Sequence, residues 1–409
     1  MTKCGNNTTR FAFLAYSAFS NFGIGAYLVA TTWGAVQTTG DARLAASIFL
    51  VSMALGIVFS NIAGLYSDVA GVRLQLYASN VARIAAGFIL FLGTVTEGFL
   101  IVSLFAFTVV RSVGNAISLV AESVAFQKAF PKKIRFKRVA EFGIVKQISI
   151  AAGTGITGVM IVFWGLNSTV ALLIAITFLQ IPLISLFTIM GSTPEDNKQP
   201  KSEKLLRKWV AGVRYLTASR ELVVAVIVLA AVYSVAQVTN ILVPVFVMND
   251  LSAGPDVYGM MEMLWSAGGT LILILARKFT TEGSPARVAM SLLIVTGLVM
   301  VAFSVLTKVE ISLVLYFVLG GLFCLVRLLC DSKILIDTDT EYVGRVRAVN
   351  LILTNGIGVV IFALPWLVDT EFVASIYAVW GIGLVALSAI LLVYLNLSPQ
   401  YKRAEADSQ

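Results

Sequence analysis

Four basic side chains interrupt runs that are otherwise apolar: Arg83, Arg111, Lys146 and Arg327. A full charge in such a run is costly unless it faces a polar interior or a partner, so each marks a candidate site. Asn115 follows Arg111 by four residues, which puts both on one helix face, and Glu122 continues that face. Lys146, beside Gln147, stands about two helical turns into its run. Electropositive walls of low dielectric select anions, and the planar guanidinium fork matches both oxygens of a carboxylate. The chemistry these residues predict is therefore recognition of an organic anion. A second reading stands for two of them. Arg327 with Asp331 four residues on makes a plain ion pair, and the long stem of Lys146 lets its ammonium reach a membrane surface. The carboxylates suited to carrying a proton are Glu262, about a turn and a half into a later run, and Glu122 at a run's end. Glu262 reads equally as a hydrated edge residue, and Glu122 as structural.

Uncharged polar groups add a second face. Tyr233, Gln237 and Asn240 follow one another at spacings of four and three, a single helical stripe, and Asn21, Asn350 and Asn355 can join it. Hydrogen bonding between helices is the competing role for all six. Trp265 is the aromatic placed to stack on a substrate, whereas Trp33, Trp164, Trp366 and Trp380 fall near run ends, where indoles anchor at the lipid–water boundary. No phosphate-cradling Gly-Lys-Ser/Thr loop is present, which argues against direct use of ATP. The three cysteines, Cys4, Cys324 and Cys330, lack metal-ligand spacing and there is no histidine, so neither a metal nor a cofactor is expected and no enzyme signature emerges.

The elements that position these residues follow from composition. Of 409 residues, 58% are hydrophobic and 13% charged, about half the charge of a soluble domain. Twelve apolar segments can be counted, at 11–35, 43–66, 74–96, 98–121, 140–164, 168–190, 221–248, 257–276, 287–307, 311–330, 348–368 and 373–396. Each approaches or exceeds the ~20 residues a helix needs to cross a bilayer. The pattern predicts an all-α polytopic membrane protein with two six-helix bundles, 1–190 and 221–396. A linker at 191–220 joins them, ending in a basic surface helix over 203–215, and a tail occupies 397–409. The first run reads as a retained span, not a cleaved signal.

Lysine and arginine set the predicted orientation. With the N-terminus in the cytoplasm, the inner loops collect the basic cluster at 128–138, those of the linker, and Arg73, Arg277, Lys278, Arg345 and Arg347. The outer loops hold Arg43 and Lys308 with a series of acids, Asp41, Glu97, Asp250, Asp256, Glu310, Asp369 and Glu371. Both termini are thus expected in the cytoplasm, in a cytoplasmic (inner) membrane. The net charge of +8 is a topology signal and not a nucleic-acid surface.

Between the second and third segments lies Gly64-Leu65-Tyr66-Ser67-Asp68-Val69-Ala70-Gly71-Val72-Arg73. Its skeleton, Gly-x-x-x-Asp-x-x-Gly-x-Arg, resembles the loop signature of the major facilitator superfamily, with Val69 and Leu74 where that signature has further basic residues. A positive φ is expected at Gly71. Ser20-Asn21-Phe22-Gly23, Thr38-Thr39-Gly40-Asp41, Tyr215-Leu216-Thr217 and Gly344-Arg345-Val346-Arg347 are similar to the enterobactin-exporter and macrolide-efflux branch, as are Trp33 and Arg83. The resemblance implies a twelve-span drug or siderophore:proton antiporter. Spans 1, 4, 7 and 10 would line a central cavity, and Gly64, Asp68, Gly71 and Arg73 would form a conformational gate. Arg111, Lys146 and Arg327 would then surround that cavity, with Asn115, Asn21, Tyr233, Gln237, Asn240 and Trp265 completing a substrate site. Two antiporter features are absent: Arg111-Ser112-Val113-Gly114-Asn115 lacks a Gln, and Gly153-Thr154-Gly155-Ile156-Thr157-Gly158 lacks a Pro. The expectation is export of an anionic small molecule, a siderophore foremost, in exchange for protons. A multidrug or macrolide-type efflux pump and a proton-coupled importer of organic anions are the alternatives.

Overall fold

A computed structural model describes residues 3–66, 71–96, 98–130, 132–186, 213–276, 285–338, 343–367 and 373–396. Helix dominates these residues, and no strand occurs among them. In chain order the helices are α1 (Lys3–Thr39), α2 (Ala42–Tyr66), α3 (Val72–Val95), α4 (Leu100–Ala129), α5 (Lys132–Phe178) and α6 (Gln180–Ser185). They continue with α7 (Arg220–Asn249), α8 (Pro255–Ala276), α9 (Pro285–Val305), α10 (Val309–Asp337), α11 (Val343–Leu367) and α12 (Val373–Asn396). Among the described residues, ten helical stretches are long and apolar enough to cross a membrane, and α2 adds a shorter apolar stretch, Ala42–Leu55. The protein is an all-α, multi-pass membrane protein.

α5 accounts for the difference between these stretches and the twelve expected spans: it holds two of them, and α2 supplies another. It has 47 residues, about 70 Å at 1.5 Å per residue and more than twice the bilayer core. Gly165 breaks it, at φ 75° and ψ 169°. Only glycine adopts that conformation readily, because a Cβ would collide with the backbone. Close to the break, Leu166 packs on Gly34 of α1. Nine residues beyond Gly165, Ile174 meets Gly87 of α3 where the Tyr27 hydroxyl of α1 also meets it, while Thr154, eleven residues before Gly165, touches Gly25. The chain has therefore doubled back along α1, and two expected spans are joined by one non-helical residue. At its other end α5 begins at Lys132, eight residues before the apolar run, so the basic stretch expected as a loop is largely helix. Hydropathy marks where the membrane ends, not where a helix ends.

Contacts divide the chain into two compact units. The first comprises Met1–Lys198 together with Val247–Met263, and the second Gln199–Phe246 with Leu264–Gln409. In the first unit α1 lies along α5 and α3 along α4. Gly153 approaches the backbone of Phe22 so closely that no side chain fits between α1 and α5. Gly259 of α8 sits against Gly158 of α5, where a Cβ would lie 2.7 Å from the Thr154 carbonyl oxygen. One end of the unit is closed by Phe13, Phe126, Phe130 and Phe142, which meet edge-on or tilted at centroid separations of 5.0–6.0 Å. In the second unit α9 packs on α12 and α10. An aromatic chain runs Tyr377, Phe303, Tyr316, Trp265, Phe323, Tyr233. Large apolar side chains such as Phe163, Leu74 and Val379 stay exposed, as lipid-facing positions must.

The expected surface helix at 203–215 lies mostly outside the described residues; a short helical turn at 213–217 precedes α7. Gly71 caps α3 at φ −57° with open space around it, so the positive φ expected there is not found. The positive-φ glycines are instead Gly40, Gly98 and Gly165.

Candidate substrate site

α4 carries the site. Thr108, Arg111, Ser112, Asn115, Ser118 and Glu122 recur at helical spacing along the face it turns into the first unit. Gly114 on the adjacent face lets α3 approach to where a Cβ would stand 3.0 Å from the Ser79 carbonyl oxygen. That approach brings Arg83 of α3 within reach. Its guanidinium is almost fully buried and donates from Nε to Asn115 Oδ1 at 3.1 Å and from Nη1 to Ser20 Oγ at 3.0 Å. Nη2 lies 3.9 Å from Glu122 Oε1, and the Ser118 hydroxyl donates to the same carboxylate oxygen. Arg83 thus ties α1, α3 and α4 together through polar groups inside an apolar unit.

Arg111 is placed differently. Its Nη2 donates to the Gly23 carbonyl oxygen of α1 at 2.9 Å. The guanidinium carbon stands 4.2 Å from the Tyr27 ring centroid and 5.5 Å from that of Phe107. These partners are a carbonyl dipole and two aromatic faces, which stabilise a cation without neutralising it. Arg111 and Asn115 both line an open-sided cavity of about 190 Å³ whose walls are α1, α2 and α4. Its remaining wall includes Tyr27, Thr31, Thr32, Ser52, Thr108 and Ser112 beside apolar Ile24, Leu28, Ile48, Phe49 and Phe107. The lining suits a head group with polar atoms.

The other sequence-predicted residues fall elsewhere. Lys146 is exposed on α5 and does not line this cavity. Asn21 turns back on its own helix, donating to the Ser17 carbonyl oxygen at 2.8 Å. Glu262 is buried in the first unit, on α8 one turn after Tyr258. Tyr258 in turn meets the cavity residue Thr32 at 2.7 Å, hydroxyl to hydroxyl. Trp33, expected as a boundary anchor, is buried and stacks on Tyr258 at 6.3 Å, whereas Trp164 and Trp366 are exposed. In the second unit Gln237 donates to the Thr354 carbonyl oxygen of α11 at 3.3 Å. Tyr233 and Trp265 both pack on Phe323, Asn350 donates to the Val226 carbonyl oxygen, and Asn240 is half-buried. Trp380 donates to Ser234 Oγ. Arg327 lies 3.8 Å from Asp331, the ion pair that its spacing allows. Of the gate residues, Gly64 is near the end of α2, Arg73 is exposed on the first turn of α3, and Asp68 lies outside the described residues.

Sequence reasoning missed the hydroxyl wall. Thr108 and Ser112 continue the Arg111–Asn115 face by one turn, a visible signal. Thr31, Thr32 and Ser52 come from other helices, and no spacing in the chain announces them. No group of three or more metal-ligating side chains occurs among the described residues.

The fold has known counterparts. The nucleoside transporter NupG superposes with a TM-score of 0.73 at 11% identity, covering 95% of this chain and 100% of that one. A POT family transporter in complex with a thioalcohol-conjugated peptide gives 0.69 at 14% identity, covering 96% of each chain. A bacterial metal transporter gives 0.69 at 12%, covering 95% of this chain and 99% of that one. At these identities the likeness is of fold alone. No curated protein matches by sequence. The model of the Major Facilitator Superfamily matches residues 11–363, most of the chain. Family match, membrane-spanning helices and fold agree, and this chain belongs to the major facilitator superfamily, whose members are secondary transporters.

Proposed function

We propose that the protein exports a small organic anion across the cytoplasmic membrane in exchange for protons, a carboxylate-bearing siderophore being the substrate class that suits it best. The observation that carries this reading is the setting of Arg111. Its described partners are a carbonyl oxygen and two rings, and it stands on a cavity wall. An anion with a planar acceptor group supplies the missing countercharge. Export follows the resemblance to the efflux branch, with both termini on the cytoplasmic face. Rocking of two bundles around a site near the midplane would move the substrate. Glu262, one turn along α8 from the Tyr258 whose hydroxyl meets the cavity residue Thr32, is the proton carrier on this reading.

One observation favours a second reading, proton-coupled import of an organic anion. Glu122 lies 3.9 Å from Arg83, which itself holds Asn115 on the cavity wall. An anion in the cavity and a negatively charged Glu122 repel one another. Coupling through Glu122 therefore binds proton and anion together, which is the linkage of a symporter. Vesicles separate the two. Everted membrane vesicles with an acidic lumen accumulate radiolabelled citrate or salicylate if the protein exports by antiport. Right-side-out vesicles in acidic medium do so if it imports by symport. Gradient-independent flux equal to that of vesicles lacking the protein rejects both.

A further inference from the structure

We propose that Arg83 is a positioning residue that fixes which way the Asn115 amide faces, and that the cavity so formed is a subsite for a hydroxycarboxylate. The proposal rests on the anion reading of the cavity and narrows it to a chemical class. An arginine side chain only donates hydrogen bonds, so the amide atom that meets Arg83 Nε at 3.1 Å must be the carbonyl oxygen. The amide NH2 is left for the cavity that Asn115 lines. Arg83 is itself held by Ser20, so the amide cannot reverse without breaking a buried bond. Arg111, one turn away on the same helix, adds its unengaged guanidinium hydrogens. Arg111 and Asn115 therefore offer the cavity donors alone.

The neighbouring wall has the opposite polarity. The Thr31 hydroxyl donates to the Tyr27 carbonyl oxygen at 2.6 Å, and the Thr108 hydroxyl to the Leu104 carbonyl oxygen at 2.7 Å. Each hydroxyl has one proton, already engaged, so each presents only lone pairs to a ligand. Thr108 precedes Arg111 by three residues and Thr31 follows Tyr27, the ring under Arg111, by four, so donors and acceptors lie within about one helical turn. A ligand that satisfies both ends carries a carboxylate and, a few atoms away, a hydroxyl that can donate. A bare carboxylate leaves the threonines unmatched, and an amine meets donors with donors.

Isothermal titration calorimetry on the full chain in lipid nanodiscs tests this with 3-hydroxybenzoate, benzoate and benzylamine. The hydroxyl of 3-hydroxybenzoate is too far from its own carboxylate to donate to it. Wild-type protein is expected to bind 3-hydroxybenzoate about fivefold or more tighter than benzoate, the worth of about one hydrogen bond, and not to bind benzylamine. Asn115→Asp still accepts from Arg83 but turns a carboxylate oxygen to the cavity. It should lose 3-hydroxybenzoate by about a hundredfold, as expected when an acceptor replaces a donor opposite an anion, and should acquire benzylamine binding. Arg83→Gln should weaken 3-hydroxybenzoate about tenfold, and Arg83→Lys, which restores a donor of the same charge, should recover most of that loss. Absence of 3-hydroxybenzoate binding in the wild type, benzoate bound as tightly, or Asn115→Asp binding 3-hydroxybenzoate like the wild type overturns the proposal. So does a folded Arg83→Gln that binds 3-hydroxybenzoate normally; if that variant does not fold, Asn115→Asp decides alone. Binding of 3-hydroxybenzoate without proton-driven flux would strike the transport reading and leave the subsite standing, and flux without such binding the reverse.

Discussion

Arg111 and Arg83 sit on neighbouring helices of one unit, yet their surroundings give them different tasks. Arg83 has a carboxylate within 3.9 Å and two neutral acceptors, while Arg111 has a carbonyl oxygen and two rings. Replacing Arg111 with Ala should cut transport of an anionic substrate at least about tenfold while the protein still folds, because its one hydrogen bond contributes only about 1 kcal/mol. Transport by reconstituted protein, with melting in detergent as control, measures both. Glu122→Gln should cost on the order of 1 kcal/mol, since it strips Arg83 of its nearby countercharge at a carboxylate still partly open to solvent. The shift in thermal midpoint reads that cost, and lost pH dependence of flux would mark Glu122 as the coupling group. Asp250, in the turn after α7, has its proton affinity raised by burial. The folded state then holds its proton to higher pH than the unfolded chain, so stability falls as pH rises from the ordinary aspartate range through the folded value. Asp250→Asn should flatten that slope in melting curves taken across mildly acidic pH. At this scale the Arg111–Asn115 face was legible, because four-residue spacing along one helix is visible in the chain. The partnership of Arg83 with Asn115 was not, because it depends on how α3 and α4 approach one another.

Among the elements, α5 departs most from its hydropathy profile. Gly165 carries φ 75° and ψ 169°, and no atom beyond its own chain neighbours lies within 4 Å of where a Cβ would stand, so Gly165→Ala tests local backbone strain without a packing clash. It should destabilise by about 1–3 kcal/mol. Gly143→Ala, also in open space but within helix, should be neutral or stabilising by about 0.5–1 kcal/mol. Thermal unfolding of the two variants side by side separates conformation from packing. The apolar runs mark which helices are long enough to span, because lipid demands an apolar stretch of nearly fixed length. They could not show that α5 starts at Lys132 or that its two arms meet at one residue. Both depend on backbone geometry beyond the lipid, where side-chain polarity carries no such constraint.

For the whole molecule, the sequence predicts a division at the linker, and contacts place Val247–Met263 with the first unit. The physical reason lies in Gly158 and Gly259, whose missing side chains let α8 press against α5. Orientation is testable directly. A fluorescent protein fused to the C-terminus should mature, and alkaline phosphatase at the same point should be inactive, if that end is cytoplasmic. The reverse pattern would also invert the assignment of export and import. The doubling-back at Gly165 has a consequence for synthesis at the ribosome. With one residue of turn, neither arm can settle in lipid while the other waits in water, because the slack to separate them does not exist. The two arms must partition as a preformed pair, and lengthening that corner by a few flexible residues should make the pair's insertion stepwise.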